Sequence, residues 1–199
     1  MTDKGREMNE DGTTSADGDI RVVVVGHDAE RQGVVVRDHL VGPWALPAAG
    51  YAAHILWGTD SPGALCFPDD GLRATFSEPV PPVGGLRFAV LLVPPDQSAA
   101  QPEPSRPQGS RGMDDVYVVE GDLPNTHFTP TLDLAVVLEG EVIVALDKNR
   151  RVHLKAGECI IQQGARHSWL NPGDKMAKIA VAVMGVRHQS VPRAEFSVA

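Results

Sequence analysis

From Val116 onward, short runs rich in β-branched residues alternate with turn residues. Leu134–Leu138, Val142–Leu146, Val152–Leu154, Glu158–Ile161 and Lys178–Met184 are separated by Glu139–Glu141, Asp147–Arg150, Lys155–Gly157 and Asn171–Asp174. Runs this short, bounded by Gly, Asn, Asp and Pro, read as strands joined by tight turns. Their even spacing predicts an all-β barrel or jelly roll. The first half adds strands at Arg21–Val25, Val34–Val36, Ala52–Trp57 and Leu86–Val93, the last ended by Pro94 and Pro95. No internal repeat is evident.

Composition agrees. Twenty Gly and 16 Pro in 199 residues favour turns over long helices. No apolar run approaches the roughly 18 residues of a membrane span, so no membrane partner is expected. Residues 1–19 hold six acids and two bases, and so carry −4 of the net charge of −8. This acidic segment has almost nothing to bury and is expected to be a disordered tail. It lacks the basic-then-apolar pattern of a secretory signal. Cys66 and Cys159 suggest neither a disulfide nor a metal motif, which fits a reducing cytoplasm. No basic stripe is present, and nucleic acid is not an expected partner. Gly26 and Gly33 are followed by no helix pattern, so no phosphate loop and no nucleotide cofactor is expected.

The expected organisation is a tail (1–19), N-terminal strands extending the barrel (20–95), a flexible Pro-, Ser- and Gln-rich insertion (96–115) and a core barrel (116–190).

Two segments of the core concentrate the residues able to do chemistry. The first places His127, Thr129, Asp133 and Gly140 along one strand-like run. The second holds Gly157, Gly164, His167, Trp169 and Asn171. Side chains two apart share a strand face. His127, Thr129, Thr131 and Asp133 therefore share one parity, and His167, Trp169 and Asn171 another. Pro130 donates no ladder hydrogen bond, so the first run is expected to be irregular there.

These spacings resemble the paired motifs of the cupin superfamily. That family's first motif has two histidines one residue apart, then a glutamate and a glycine. Its second has a glycine, a Pro-x-Gly turn, a histidine and an asparagine. Here Thr129 stands for the second histidine and Asp133 for the glutamate. The turn proline is absent, and Gln162-Gln163-Gly164 leaves the second motif one residue short. The resemblance covers about the last third of the chain. It implies a cupin-type jelly-roll β-barrel with additional N-terminal strands, holding a small organic molecule.

On that alignment His127, Asp133 and His167 are the catalytic residues and candidate metal ligands, with Thr129, Gln163 and Trp169 lining the substrate pocket. Two imidazoles and a carboxylate suit Fe, Zn, Ni or Mn. With Thr129 in a ligand position, one coordination site is left for water or substrate. Without metal, a histidine beside an aspartate in a dry pocket is an acid–base pair. The resemblance implies a cytoplasmic small-molecule enzyme, compatible with a homodimer. Its chemistry would be metal- or histidine-assisted cyclisation, dehydration or isomerisation of a carbonyl-bearing or polyketide-like metabolite. The alternatives are an Fe(II)-dependent dioxygenase and a non-catalytic ligand-binding or sensor domain. No pair of DNA-binding helices accompanies the strands.

Overall fold

The computed structural model describes residues 18–46, 51–61, 74–96 and 125–187, with backbone alone at 117–118. Among these residues every regular element is a strand. None forms a helix long and apolar enough to cross a membrane. Apart from Gly18, Asp19 and Asp96, the expected tail and insertion lie outside the described residues.

Contacts divide the chain into two units. The first contains β1 (Ile20–His27) and β2 (Gly33–Val41), which among the described residues pair only with each other, as an antiparallel hairpin. Asp28 closes its turn. The Asp28 carboxylate accepts hydrogen bonds from the backbone N–H of Glu30 and of Gln32, the usual way Asp stabilises a loop.

The second unit is built from two sheets. One has six strands in the order β11 (Cys159–Gln163), β8 (Thr131–Glu139), β13 (Ala177–Gly185), β5 (Leu86–Val93), β4 (Tyr51–Thr59) and β3 (Trp44–Leu46). The other has five: β10 (Arg150–Lys155), β9 (Glu141–Leu146), β12 (His167–Leu170), β7 (His127–Phe128) and β6 (Tyr117–Val118). All pairings within these sheets are antiparallel. The fold is an all-β jelly roll. Among the described residues no ladder joins the two sheets, so they face each other without closing into a barrel.

Ala89, Val93, Val137, Ile179 and Val181 of the six-stranded sheet pack against Val142, Val144 and Leu154 of the other. Small and β-branched side chains fill this space closely, as facing sheets require. The strand expected from His127 to Asp133 is broken. It leaves the five-stranded sheet after Phe128 and enters the six-stranded sheet at Thr131. Thr129-Pro130 makes the crossing, as the missing N–H of proline requires. At the end of β13, Gly185 lies so near the 81–85 turn that a Cβ would sit 1.9 Å from the Pro82 carbonyl oxygen. Reciprocal backbone bonds join Gly84 and Gly85 to Gly185.

Candidate functional site

His127 and His167 are register partners on β7 and β12. Cross-strand partners carry their Cβ atoms about 5 Å apart, and here the ring centroids are 4.5 Å apart. Both rings are held the same way. The carbonyl of Asn125 lies 2.8 Å from Nδ1 of His127, and the carbonyl of Ala165 lies 2.8 Å from Nδ1 of His167. A carbonyl can only accept, so each Nδ1 carries its proton and each neutral ring has its lone pair on Nε2. Asn125 takes the left-handed backbone conformation (φ 59°), which asparagine tolerates better than most residues.

The two rings border a cavity of about 70 Å³ between the sheets, several times the space one water needs. Its walls are mostly apolar, with Ala53, Ile55, Ala89, Leu91, Val181 and Val183 on the six-stranded side. Thr129, Asp133 and Trp169 line it as well. His127, Asp133 and His167 therefore border one space, although they come from two sheets. Trp169 stands edge-on to His167, with ring centroids 6.0 Å apart. Thr129 Oγ1 lies 2.7 Å from Thr131 Oγ1, and the Thr131 side chain in turn hydrogen-bonds Asp133.

Gln163 requires a correction. It is exposed, and Gln162 lines the cavity instead. Register decides this, because Gln162 is the cross-strand partner of Asp133 and takes its face. Asn171 likewise leaves the face of His167 and Trp169, because β12 ends at Leu170. Its buried amide donates to the carbonyls of Val93 and Lys175 and accepts from Gly173 N–H. It holds a turn and does not reach the cavity.

Two cavity residues escaped the sequence reading. Tyr51, on β4, places its hydroxyl 3.5 Å from Nε2 of His127, the long limit of a hydrogen bond. Arg87, on β5, is fully buried. It donates to the carbonyls of Glu78, Thr59 and Leu86 and to the Asp60 carboxylate. Its guanidinium also stacks over Phe76, 4.7 Å from the ring centroid.

Burial sets the electrostatics. It lowers the His127 pKa from the ordinary value, against the Asn125 hydrogen bond, which raises it. It lowers His167 to about 4, helped by the neighbouring His127. Both rings are therefore neutral at neutral pH. Burial raises Asp133 to about 6, opposed by its bond to Thr131. Tyr51 is pushed up by burial and by the charge of Asp133, so it keeps its proton. One Asp133 oxygen, Oδ1, and the Gln162 Nε2 are buried with no hydrogen-bond partner.

The histidines have the posture of metal ligands, with Nδ1 anchored on a carbonyl and Nε2 directed outward. Among the described residues, however, no three His, Cys, Asp or Glu side chains stand close enough to hold one ion. Catalytic zinc and non-haem iron centres generally use three protein ligands. Asp133, on the opposite sheet beside Gln162, does not complete the set.

Residues 116–184 match the cupin domain family. That segment, about a third of the chain, reads as a cupin domain. Tyr51 and Arg87 reach the cavity from strands that precede the matched segment, so the cupin cavity is completed by β4 and β5. Over 49 residues the chain is 37% identical to the Oryzines biosynthesis cluster protein J of Aspergillus oryzae (strain ATCC 42149 / RIB 40). That match spans 25% of this chain and only 27% of the relative's length. Among solved structures, a cupin 2 conserved barrel domain protein from Salinispora arenicola CNS-205 aligns over 68% of this chain and 76% of its own. Its identity is 14% and its TM-score 0.34. An ethanolamine utilization protein Q from Salmonella typhimurium LT2 aligns over 85% of this chain and 98% of its own, with 11% identity and a TM-score of 0.38.

Proposed function

We propose that this protein is an enzyme that moves a proton on a small carbonyl-bearing metabolite, with Asp133 as the base. One observation carries the reading. A carboxyl oxygen without a partner faces an apolar cavity beside two neutral imidazoles and a protonated tyrosine. A buried carboxylate whose pKa lies near 6 is poised to take a proton close to neutral pH. The Nε2 lone pairs of His127 and His167 accept hydrogen bonds and so hold a substrate hydroxyl. The Tyr51 hydroxyl is a donor on the same side. Abstraction of a proton next to a carbonyl is the step shared by isomerisation, dehydration and cyclisation. The likeness to a protein of a biosynthesis cluster fits small-metabolite tailoring.

The test uses cyclohexanone in D₂O with protein dialysed against chelator. Exchange of the α-protons, followed by NMR, should be accelerated in proportion to protein. It should rise with pH through about 6 and fall roughly 10²-fold in Asp133→Asn. Equal rates for wild type and Asp133→Asn would overturn the reading. Exchange that appears only after iron, zinc, nickel or manganese is restored would favour the metal-dependent alternative instead.

A further inference from the structure

Among the described residues lining the cavity, two buried polar atoms without a partner belong to neighbours. Gln162 and Asp133 sit opposite each other on β11 and β8, and both side chains line the cavity. Gln162 is only 7% exposed, so water does not readily satisfy its amide. A buried N–H and a buried carboxyl oxygen each left without a partner cost about 1–3 kcal/mol, and such groups in a native fold mark a missing ligand or water. Directly opposed side chains are about 5 Å apart at Cβ, so one small ligand can span them.

We infer that Gln162 and Asp133 together read an uncharged edge in which an N–H or O–H lies beside a C=O. Amides, lactams and the enol form of a dicarbonyl have this edge. The ligand carbonyl accepts from the Gln162 amide, and its neighbouring N–H or O–H donates to Asp133 Oδ1.

The rest of the cavity argues against ions. An anion would set its oxygen against Asp133. Among the described cavity residues the cation is Arg87, and its guanidinium is engaged by three carbonyls and the Asp60 carboxylate. An ammonium would suit Asp133 but offers no acceptor to Gln162. The inference rests on the cavity being the substrate site and adds the class of molecule it takes, with Gln162 as a specificity-determining residue.

The edge can be tested with three six-membered-ring probes and chelator-treated protein. 2-Piperidone has N–H beside C=O. Cyclohexanone has the acceptor alone, and cyclohexanecarboxylate is an anion. Titrations followed by ¹⁵N–¹H NMR should give 2-piperidone at least about tenfold tighter than cyclohexanone, with the carboxylate unbound. The Gln162 side-chain NH₂ signals should be among those that move. In Gln162→Met, 2-piperidone should fall to the level of cyclohexanone. The wild-type comparison stands even if that variant does not fold. Equal affinity for 2-piperidone and cyclohexanone would overturn the inference, as would binding of the lactam that leaves the Gln162 amide signals unmoved. The proton-exchange assay is separate. Exchange that depends on Asp133 with no preference for the lactam would remove the recognition pair and leave the base in place.

Discussion

An Asp carboxyl in water ionises near pH 3.9, whereas Asp133 between the sheets does so near 6. Between those values the folded protein holds a proton that the unfolded chain has released. Ionisation of Asp133 therefore opposes folding increasingly as pH rises through this window, and in full above about 6. Its cost is on the order of 3 kcal/mol. Tyr51, Thr129, Gln162 and the two histidines line the same cavity and supply no cation at neutral pH, and the guanidinium of Arg87 is engaged by three carbonyls and Asp60. Asp133→Asn should thus raise Tm by about 6–12 °C at pH 7.5 and leave it nearly unchanged below about pH 3, where both states are protonated. His167 acts in the opposite direction. With its pKa lowered to about 4, it contributes stability that is lost as pH falls from 6.5. Comparing variant with wild type at each pH cancels that contribution. A Tm shift independent of pH would show that the Asp133 charge is not held out of water.

At the scale of elements, the turn after β12 carries a motif residue without a catalytic position. Asn171 makes three hydrogen bonds through its buried amide, and the Asp96 carboxylate accepts from its backbone N–H. Asn171→Ala should cost roughly 2–4 kcal/mol, measured by denaturant unfolding, while the folded fraction keeps its affinity for 2-piperidone. Loss of affinity without loss of stability would return Asn171 to the site. Strand positions were largely legible in the sequence, because β-branched runs and Gly- or Pro-bearing turns mark them locally. The choice between Gln162 and Gln163 was not. Cys159–Gln163 offers one polar and at least one apolar residue to either face, and only pairing with β8 settles which glutamine turns inward. Tyr51 was illegible for a similar reason. It meets His127 across 76 residues of sequence, and no local pattern on β4 points to that encounter. His127, Asp133 and His167 were legible because motif spacing survives even where the strand carrying two of them is broken.

For the molecule as a whole, the strand that matters most is β13. It lies between β8 and β5, and so joins the matched cupin segment to strands from the first half of the chain. Residues 116–199 alone would leave one edge of β13 unpaired and expose Ala89's partner Val181 along with Ile179. An unpaired apolar edge promotes association. That fragment should be aggregated or molten by circular dichroism and light scattering, whereas the full chain should lose its β-sheet signal in one transition across residues 44–187. A fragment that folds and binds 2-piperidone unaided would show β3–β5 to be dispensable. The crossing at Thr129-Pro130 has a different consequence. It assigns the imidazoles to one wall and the carboxyl–amide pair to the other, so the working gap between them is set by whatever props the walls apart. Val137, Val142 and Ile179 are such props, packed in the core and not lining the cavity. Trimming or enlarging one of them would act like the screw of a caliper, and selection could retune the size of accepted molecules without altering a single group that touches them.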